Sequence, residues 1–312
     1  MEKIRPLFIA MTPVRNEAWV LHAFLKTTST WADFIIIADQ MSTDGSRDIY
    51  GQYEKVVLIE NNNPDFNEAE RQSVLVAKAR EVANKRDCVL FGLDADEIFT
   101  ANYTNTDDWK SILNSNPGAV FWFKWAEISP NKKHYGDSVY YPWMFHDDGK
   151  EPHGNYVRNM HSMRIPYPIE AQQTHYVNDF RILHLAYLNM NRVASKCRFY
   201  SFVDYEMNKR SVISLSRNYR YIKKLEEFTI NDNFFDYNEN ISVLNEVDTT
   251  SKKFWFDDYI LEIWDNDFLE TYHLQDPRKW YHKLLHFYLH KTQKYKSTFI
   301  VRAIDKILKM VV

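Results

Sequence analysis

The sequence predicts an α/β protein built on parallel β-α units. Three observations carry that prediction. Apolar runs without polar alternation, at 7–11, 34–38, 55–59 and 89–93, read as strands buried on both faces. Segments of helical spacing fall between them, around 19–25, 47–53 and 68–86. Three of the runs stop abruptly at polar residues, at 12–17, 39–46 and 94–97. Right-handed crossovers bring strand C-terminal ends to one edge, and ligands of open α/β sheets bind at that edge.

The stretch 89–99 organises the rest. Its apolar run ends at Asp94, Asp96 and Glu97, three carboxylates in four positions. On an extended backbone Asp94 and Asp96 would point the same way. Such a pair suits a hard divalent cation held partly by protein and partly by phosphate oxygens. The plainer reading is an acidic turn that solvates a strand end.

Taken in order, the first strand (7–11) ends at a Pro-Asn loop, residues 12–17. The helix at 19–25 follows Asn16-Glu17, a pair that suits a helix N-terminus. The second strand (34–38) ends at Asp39 and the polar turn 41–46. A short helix (47–53) and a third strand (55–59) follow. The loop 61–65 leads into a long helix (68–86) with Val74, Leu75, Ala77, Ala79 and Val82 as its apolar positions. Further on, 120–128 is aromatic and β-forming. Residues 131–180 are rich in His, Tyr, Pro and Asn, with an alternating segment at 156–165. A short run at 181–185 carries His184. From about Ser195 the chain reads as helical, notably at 205–225 and 278–290.

Composition bounds the function. The chain has 312 residues, 45% of them hydrophobic and 16% aromatic, enough for a sizeable core. A net charge of -3 and no long basic block argue against nucleic-acid binding. Cys88 and Cys197 have no metal-type spacing and fit a reducing compartment. The N-terminal apolar run is too short for a signal-peptide core, and no stretch has the length of a transmembrane helix. Seven glycines in all leave no Gly-rich dinucleotide or P-loop fingerprint. The expected location is therefore cytoplasmic.

The motifs Pro13-Val14-Arg15-Asn16-Glu17, Asp39-Gln40-Met41-Ser42-Thr43-Asp44-Gly45-Ser46 and Leu93-Asp94-Ala95-Asp96-Glu97 together resemble those of the family-2 glycosyltransferases. The resemblance covers residues 5–100 well, 115–190 loosely and the C-terminal third not at all. It implies a GT-A type fold: a Rossmann-like mixed sheet flanked by helices, here with a helical C-terminal extension. The implied domains are 1–194, with a nucleotide-binding half at about 1–100 and an acceptor half at about 101–194, and an extension at 195–312.

The resemblance also implies roles. Pro13, Arg15 and Glu17 would hold the nucleotide base and ribose. Asp39 would contact the base, and Asp44 would shape the turn nearby. Arg71 would face the nucleotide or diphosphate. Asp94 and Asp96 would form the acidic pair around Mn or Mg, with Asp96 the more direct ligand. His184 would complete the metal or diphosphate site; its plainer reading is a histidine hydrogen-bonded at a strand end. For the catalytic base, relatives carry a His-Glu pair that this chain lacks. Glu170 is the first choice, with His175, Asp179 and Glu127 open.

The implied function is a metal-dependent glycosyltransferase, inverting, that moves a sugar from a UDP- or GDP-sugar to a glycan or lipid-linked acceptor. The rivals are a sugar nucleotidyltransferase, disfavoured by the glycine-free loop after the first strand, and a non-catalytic carbohydrate- or nucleotide-binding protein. Aromatic residues Trp122, Trp125, Tyr140, Tyr141 and Trp143 read mostly as core, with sugar stacking as the alternative. His282, His286 and His290 read as the edge of an amphipathic helix. The apolar face of 299–312, flanked by Arg302, Lys306 and Lys309, suits the inner membrane face, a homodimer contact or docking on the body.

Overall fold

A computed structural model describes residues 5–65, 67–100, 102–128, 130–131, 135–150, 162–167, 173–208, 215, 219 and 242–265. The described residues fall into two compact units, one within Met1–Leu188 and Glu226–Thr249, the other within Asn189–Leu225 and Thr250–Val312.

The first unit is α/β, with a curled mixed sheet flanked by helices. Its parallel part is β1 (Leu7–Val14), β2 (Phe34–Asp39), β3 (Val56–Glu60) and β4 (Cys88–Gly92), alternating with α1 (Ala18–Thr28), α2 (Ser46–Tyr50) and α3 (Glu68–Ala83). After β4 come β5 (Glu97–Phe99), α4 (Asp107–Leu113), β6 (Ala119–Ile128), β7 (Tyr135–His146), β8 (Gln173–Tyr176) and β9 (Ile182–His184). The described strands form one nine-stranded sheet in the order β3-β2-β1-β4-β7-β6-β9-β5, with β8 on β6. The pairs β4–β7, β6–β7 and β5–β9 are antiparallel, whereas β6–β8 and β6–β9 are parallel.

Alternation along β1 explains the layers. Phe8 and Ala10 pack with α1 residues such as Val20 and Phe24, while Ile9 and Met11 pack with Leu75, Val76 and Ala79 of α3. Helices therefore cover both faces, and the parallel strands must be apolar throughout. Asn67 caps α3 by accepting from the Glu70 amide, and Asn84 ends it in the left-handed conformation. Val74, expected in the apolar face of α3, is 40% exposed; Val76 and Ala83 are buried instead.

β1 runs past the expected Met11 to Val14. Its pairing with β4 ends at Met11 and its pairing with β2 continues to Val14, so Pro13 stands where β4 no longer bonds. β7 was not foreseen as a strand of twelve residues. Its Pro142 lies at a register shift against β6, where a missing N–H is tolerated. The alternating segment 156–165 lies mostly outside the described residues, and its described part, from 162, contains no strand.

In the second unit α5 (Met190–Asn208) begins before the expected Ser195 and is followed by α6 (Trp255–Asp265). Asp257 at the start of α6 accepts from Ser195 at 2.7 Å and from Arg198 at 2.8 Å. The expected helix at 278–290, its three histidines and the amphipathic stretch 299–312 lie outside the described residues. No helix of the described residues is long and apolar enough to cross a membrane.

Candidate active site

The three polar strand ends meet as expected. Val14 pairs with Asp39, Met11 pairs with Gly92, and the Leu93 amide donates to the Met11 carbonyl at 3.1 Å. The first two loops are tied directly: the Asn16 amide donates to the Ser42 hydroxyl at 2.9 Å and the Ala18 amide to Asp44 at 2.9 Å. Asp44 also takes the Ser46 amide at 3.0 Å, so it fixes the turn between β2 and α2.

Asp39 is fully buried. It accepts from the Ser42 amide at 3.1 Å, from Arg47 at 2.9 Å and from the Tyr50 hydroxyl at 2.7 Å. Burial, and then Asp39, pushes the Tyr50 hydroxyl far above the usual tyrosine range, so it stays a donor. Asp39 thus braces the loop from within. Next to it, Gln40 donates to the carbonyls of Asn63 and Asp65 at 2.7 and 2.9 Å. Arg71 reaches Gln40 at 3.4 Å and Arg15 reaches the Pro64 carbonyl at 3.4 Å. Arg15 and Gln40 therefore hold the 61–65 loop, and Arg71 adjoins it through Gln40. Pro13 and Glu17 are half-buried, and Glu17 accepts from the Trp19 indole at 2.5 Å.

The acidic stretch differs from its expected form. Asp94 and Asp96 do not share an extended strand: β4 ends at Gly92, residues 95–96 form a turn, and Glu97 opens β5. The turn sends the carboxylates to different partners. Asp94 accepts from Arg164 at 2.6 Å. Asp96 lies 3.8 Å from Nε2 of His184. Glu97, fully buried, accepts from the Asp94 amide at 2.9 Å, the Trp125 indole at 2.7 Å, the Trp143 indole at 3.2 Å and Arg164. Burial raises the Glu97 carboxyl above its usual range, and Arg164 opposes that rise without cancelling it. Four N–H donors leave a proton on Glu97 no acceptor, so the pocket is built for the carboxylate. Burial opposes the Arg164 charge too, but Asp94 and Glu97 outweigh it and hold its pKa above the ordinary value.

Gly92 makes room for this arrangement. A Cβ there would stand 2.5 Å from the Arg164 Cβ and 2.7 Å from its carbonyl oxygen. A glycine in a strand of bulky residues marks just such a backbone approach.

Sheet register assembles the other side. β5 sets Glu97 opposite His184, and β6 sets Glu127 beside it, so the three share one face. His184 Nδ1 lies 3.1 Å from Glu127, and its ring stacks on Trp125 at 4.8 Å and 13°. Burial alone would lower the His184 pKa. Glu127 first, then Asp96 and Glu97, lift it to about 9.

The expected metal set was Asp94, Asp96 and His184. Among the described residues no group of three His, Cys, Asp or Glu side chains could hold a metal ion. Asp94 is turned to Arg164, which removes it from the set as it stands. Asp96 and His184 do fit a divalent ion: their 3.8 Å separation is within twice a bond of about 2.1 Å. Mg or Mn commonly takes one or two side chains and completes its shell with water and phosphate oxygens.

Two of the four candidate bases, His175 and Asp179, stand elsewhere. His175 is exposed on β8 and pairs with Phe121, whereas His184 pairs with Glu127 along the same strand. At about 3.3 Å per residue that is a separation on the order of 20 Å. Asp179 is exposed and accepts from the Asp108 amide at 3.1 Å, at the start of α4. Glu170 lies outside the described residues. Sequence reasoning missed Arg164 and the buried role of Glu97; Gly92 was the one local sign of the former. Trp143 is core, Trp125 lines the site, and Tyr141 beside Trp125 is 42% exposed.

No family model matches the chain, and no curated protein matches it. Solved structures do. Mannosyl-3-phosphoglycerate synthase from Rubrobacter xylanophilus is 18% identical with a TM-score of 0.29, over 42% of this chain and 43% of that one. GalNAc-T7, crystallised with UDP, GalNAc and Mn2+, is 10% identical with a TM-score of 0.38, over 86% and 59%. Glucosyl-3-phosphoglycerate synthase from Mycobacterium tuberculosis, in complex with Mn2+, UDP and glucosyl-3-phosphoglycerate, is 18% identical with a TM-score of 0.24, over 40% and 44%. These are GT-A type glycosyltransferases. The chain spans less than two thirds of their lengths. At these TM-scores the likeness carries no functional argument, which rests on the residues of the site.

Proposed function

We propose that the chain is a metal-dependent glycosyltransferase, inverting, that transfers a sugar from a UDP- or GDP-sugar to a saccharide or lipid-linked acceptor. The observation that carries this reading is the Asp96–His184 pair at the edge where three strand-end loops meet. The loop of Pro13, Arg15 and Glu17, with Arg71, would take the nucleotide. Asp39 and Asp44 shape that pocket from behind. Asp96 and His184 would hold Mn or Mg. When bound, the ion would supply positive charge to the departing nucleoside diphosphate. Arg164 holds Asp94 and Glu97 in place and offsets the repulsion between the carboxylates of the turn. A general base must take the acceptor hydroxyl proton, and Glu170 is the proposed base.

The test is thermal unfolding with UDP or GDP, with Mn, Mg or chelator. A ligand that binds the folded state alone raises Tm, by about 2.7 kcal/mol of stabilisation at a hundredfold excess over Kd. A metal-dependent rise with one base is expected, and Asp96→Ala should abolish it. No rise with either nucleotide at millimolar concentration would favour a non-catalytic protein on the same fold.

A further inference from the structure

Glu127 stood open as a base, and its position fits another task. It sits on the side of His184 away from Asp96, so the imidazole has a carboxylate facing each ring nitrogen. The two contacts are unequal. Nδ1 to Glu127 is 3.1 Å, a hydrogen bond; Nε2 to Asp96 is 3.8 Å, beyond one. The ring has little freedom to exchange these faces. Trp125 stacks flat against it, and Tyr187 meets it edge-on at 6.2 Å and 87°. Strand register fixes the pair further, since Glu127 and His184 are direct neighbours between β6 and β9.

We propose that Glu127 is a positioning residue that keeps the His184 proton on Nδ1, so that the bare Nε2 faces Asp96 as a cation ligand. The proposal rests on the glycosyltransferase reading above and deepens its metal site. The chemistry is general. A neutral imidazole has one N–H and one lone pair. With the proton on Nε2, the Nδ1 lone pair would face a carboxylate oxygen, which is repulsive. With the proton on Nδ1 it donates to Glu127 at hydrogen-bonding distance, while the lone pair faces the more distant Asp96, an arrangement that a cation between the two would make favourable. A carboxylate behind a ligating histidine fixes its tautomer and raises its basicity, and losing such a partner weakens metal binding about 10–100-fold.

The test measures Mn affinity by electron paramagnetic resonance at saturating UDP or GDP, whichever base the wild type binds. Glu127→Gln is expected to bind Mn about 10–100-fold more weakly, and Glu127→Asp to recover part of the loss. His184→Ala gives the floor. Nitrogen NMR of the Mg- and nucleotide-loaded wild type is expected to show His184 protonated on Nδ1 and unprotonated on Nε2. That measurement needs no Glu127 variant, so a misfolded substitution leaves it standing. Mn affinity in Glu127→Gln within twofold of wild type, or an Nε2–H signal, would overturn the proposal. So would a collapsed kcat at unchanged Mn affinity, which would give Glu127 to the acceptor hydroxyl instead. If the wild type binds no Mn with either nucleotide, the glycosyltransferase reading itself falls, a different result from any of these.

Discussion

Asp39 and Glu97 are both fully buried carboxylates at strand ends, each satisfied by several donors. They differ in where the donors come from. Asp39 draws on Ser42, Arg47 and Tyr50, all within 11 residues. Glu97 takes one amide from its own turn, and its other partners are Trp125, Trp143 and Arg164, at separations of 28, 46 and 67 residues. One carboxylate braces a local loop. The other ties the turn after β4 to β6, β7 and the segment that carries Arg164. Removing a partner should therefore hurt the two clusters unequally.

The largest effect is expected at Arg164. Arg164→Met leaves Glu97 buried without its counter-charge, and breaking such a pair costs about 3–5 kcal/mol. Urea unfolding measures it. Adding Glu97→Gln should return much of the loss, because no fully buried unpaired charge then remains; Asp94, which also loses Arg164, is partly exposed. A loss under about 1 kcal/mol would mean that water reaches Glu97 and that the fastening is weak.

Asp39→Asn comes next. It keeps the shape and one acceptor but surrenders charge-assisted bonds, for an expected loss of about 1–3 kcal/mol. Arg47 is 41% exposed, so its share is small and Tyr50 carries more. Tyr50→Phe should therefore cost more than Arg47→Met in the same unfolding assay. The reverse order would make the ion pair, not the buried hydroxyl, the brace.

The smallest effect is on pH dependence and belongs to the Glu97 side alone, where His184 stands. In the metal-free protein its pKa is lifted from 6.5 to about 9, chiefly by Glu127 against the pull of burial. A raised pKa stabilises the fold fully below the unfolded value, and the benefit fades as pH climbs through the folded one. With chelator present, the Tm gap between wild type and His184→Gln should narrow from about pH 6 to about pH 10. A gap that stays constant would show that His184 does not gain charge on folding.

The same contrast explains what the sequence revealed. The β-α alternation of residues 7–92 was legible because each signal is short-range: an apolar run, a helical spacing, a Pro-Asn or Asp-Gly turn. Asp96 and His184 stood out by residue type, and the structure does bring them together. The pairing of Asp94 with Asp96 failed because the two-residue rule holds only on an extended backbone, and a turn intervenes. Arg164 left only the indirect trace of Gly92, since its neighbours are set by tertiary approach to that glycine. His175 and Asp179 drew attention by chemistry and by lying just upstream of His184, yet β8 pairs with the start of β6 and β9 with its end. A register of that kind is decided by the whole sheet.

The reach of the Glu97 contacts also bears on the order in which the chain folds. Contacts between residues far apart in sequence close late, because loop entropy must be met before they form. β1, β2, β3 and the Asp39 brace can assemble early from neighbouring segments, whereas β4 must reach β1 from Cys88 to Leu7. The pocket around Glu97 waits for β6, β7 and the segment that carries Arg164. A chain released from denaturant should regain the Tyr50 environment before its Trp125 and Trp143 fluorescence. Until that last step the acidic turn is only a cluster of charges in water, and the pair that would grip a cation does not yet exist.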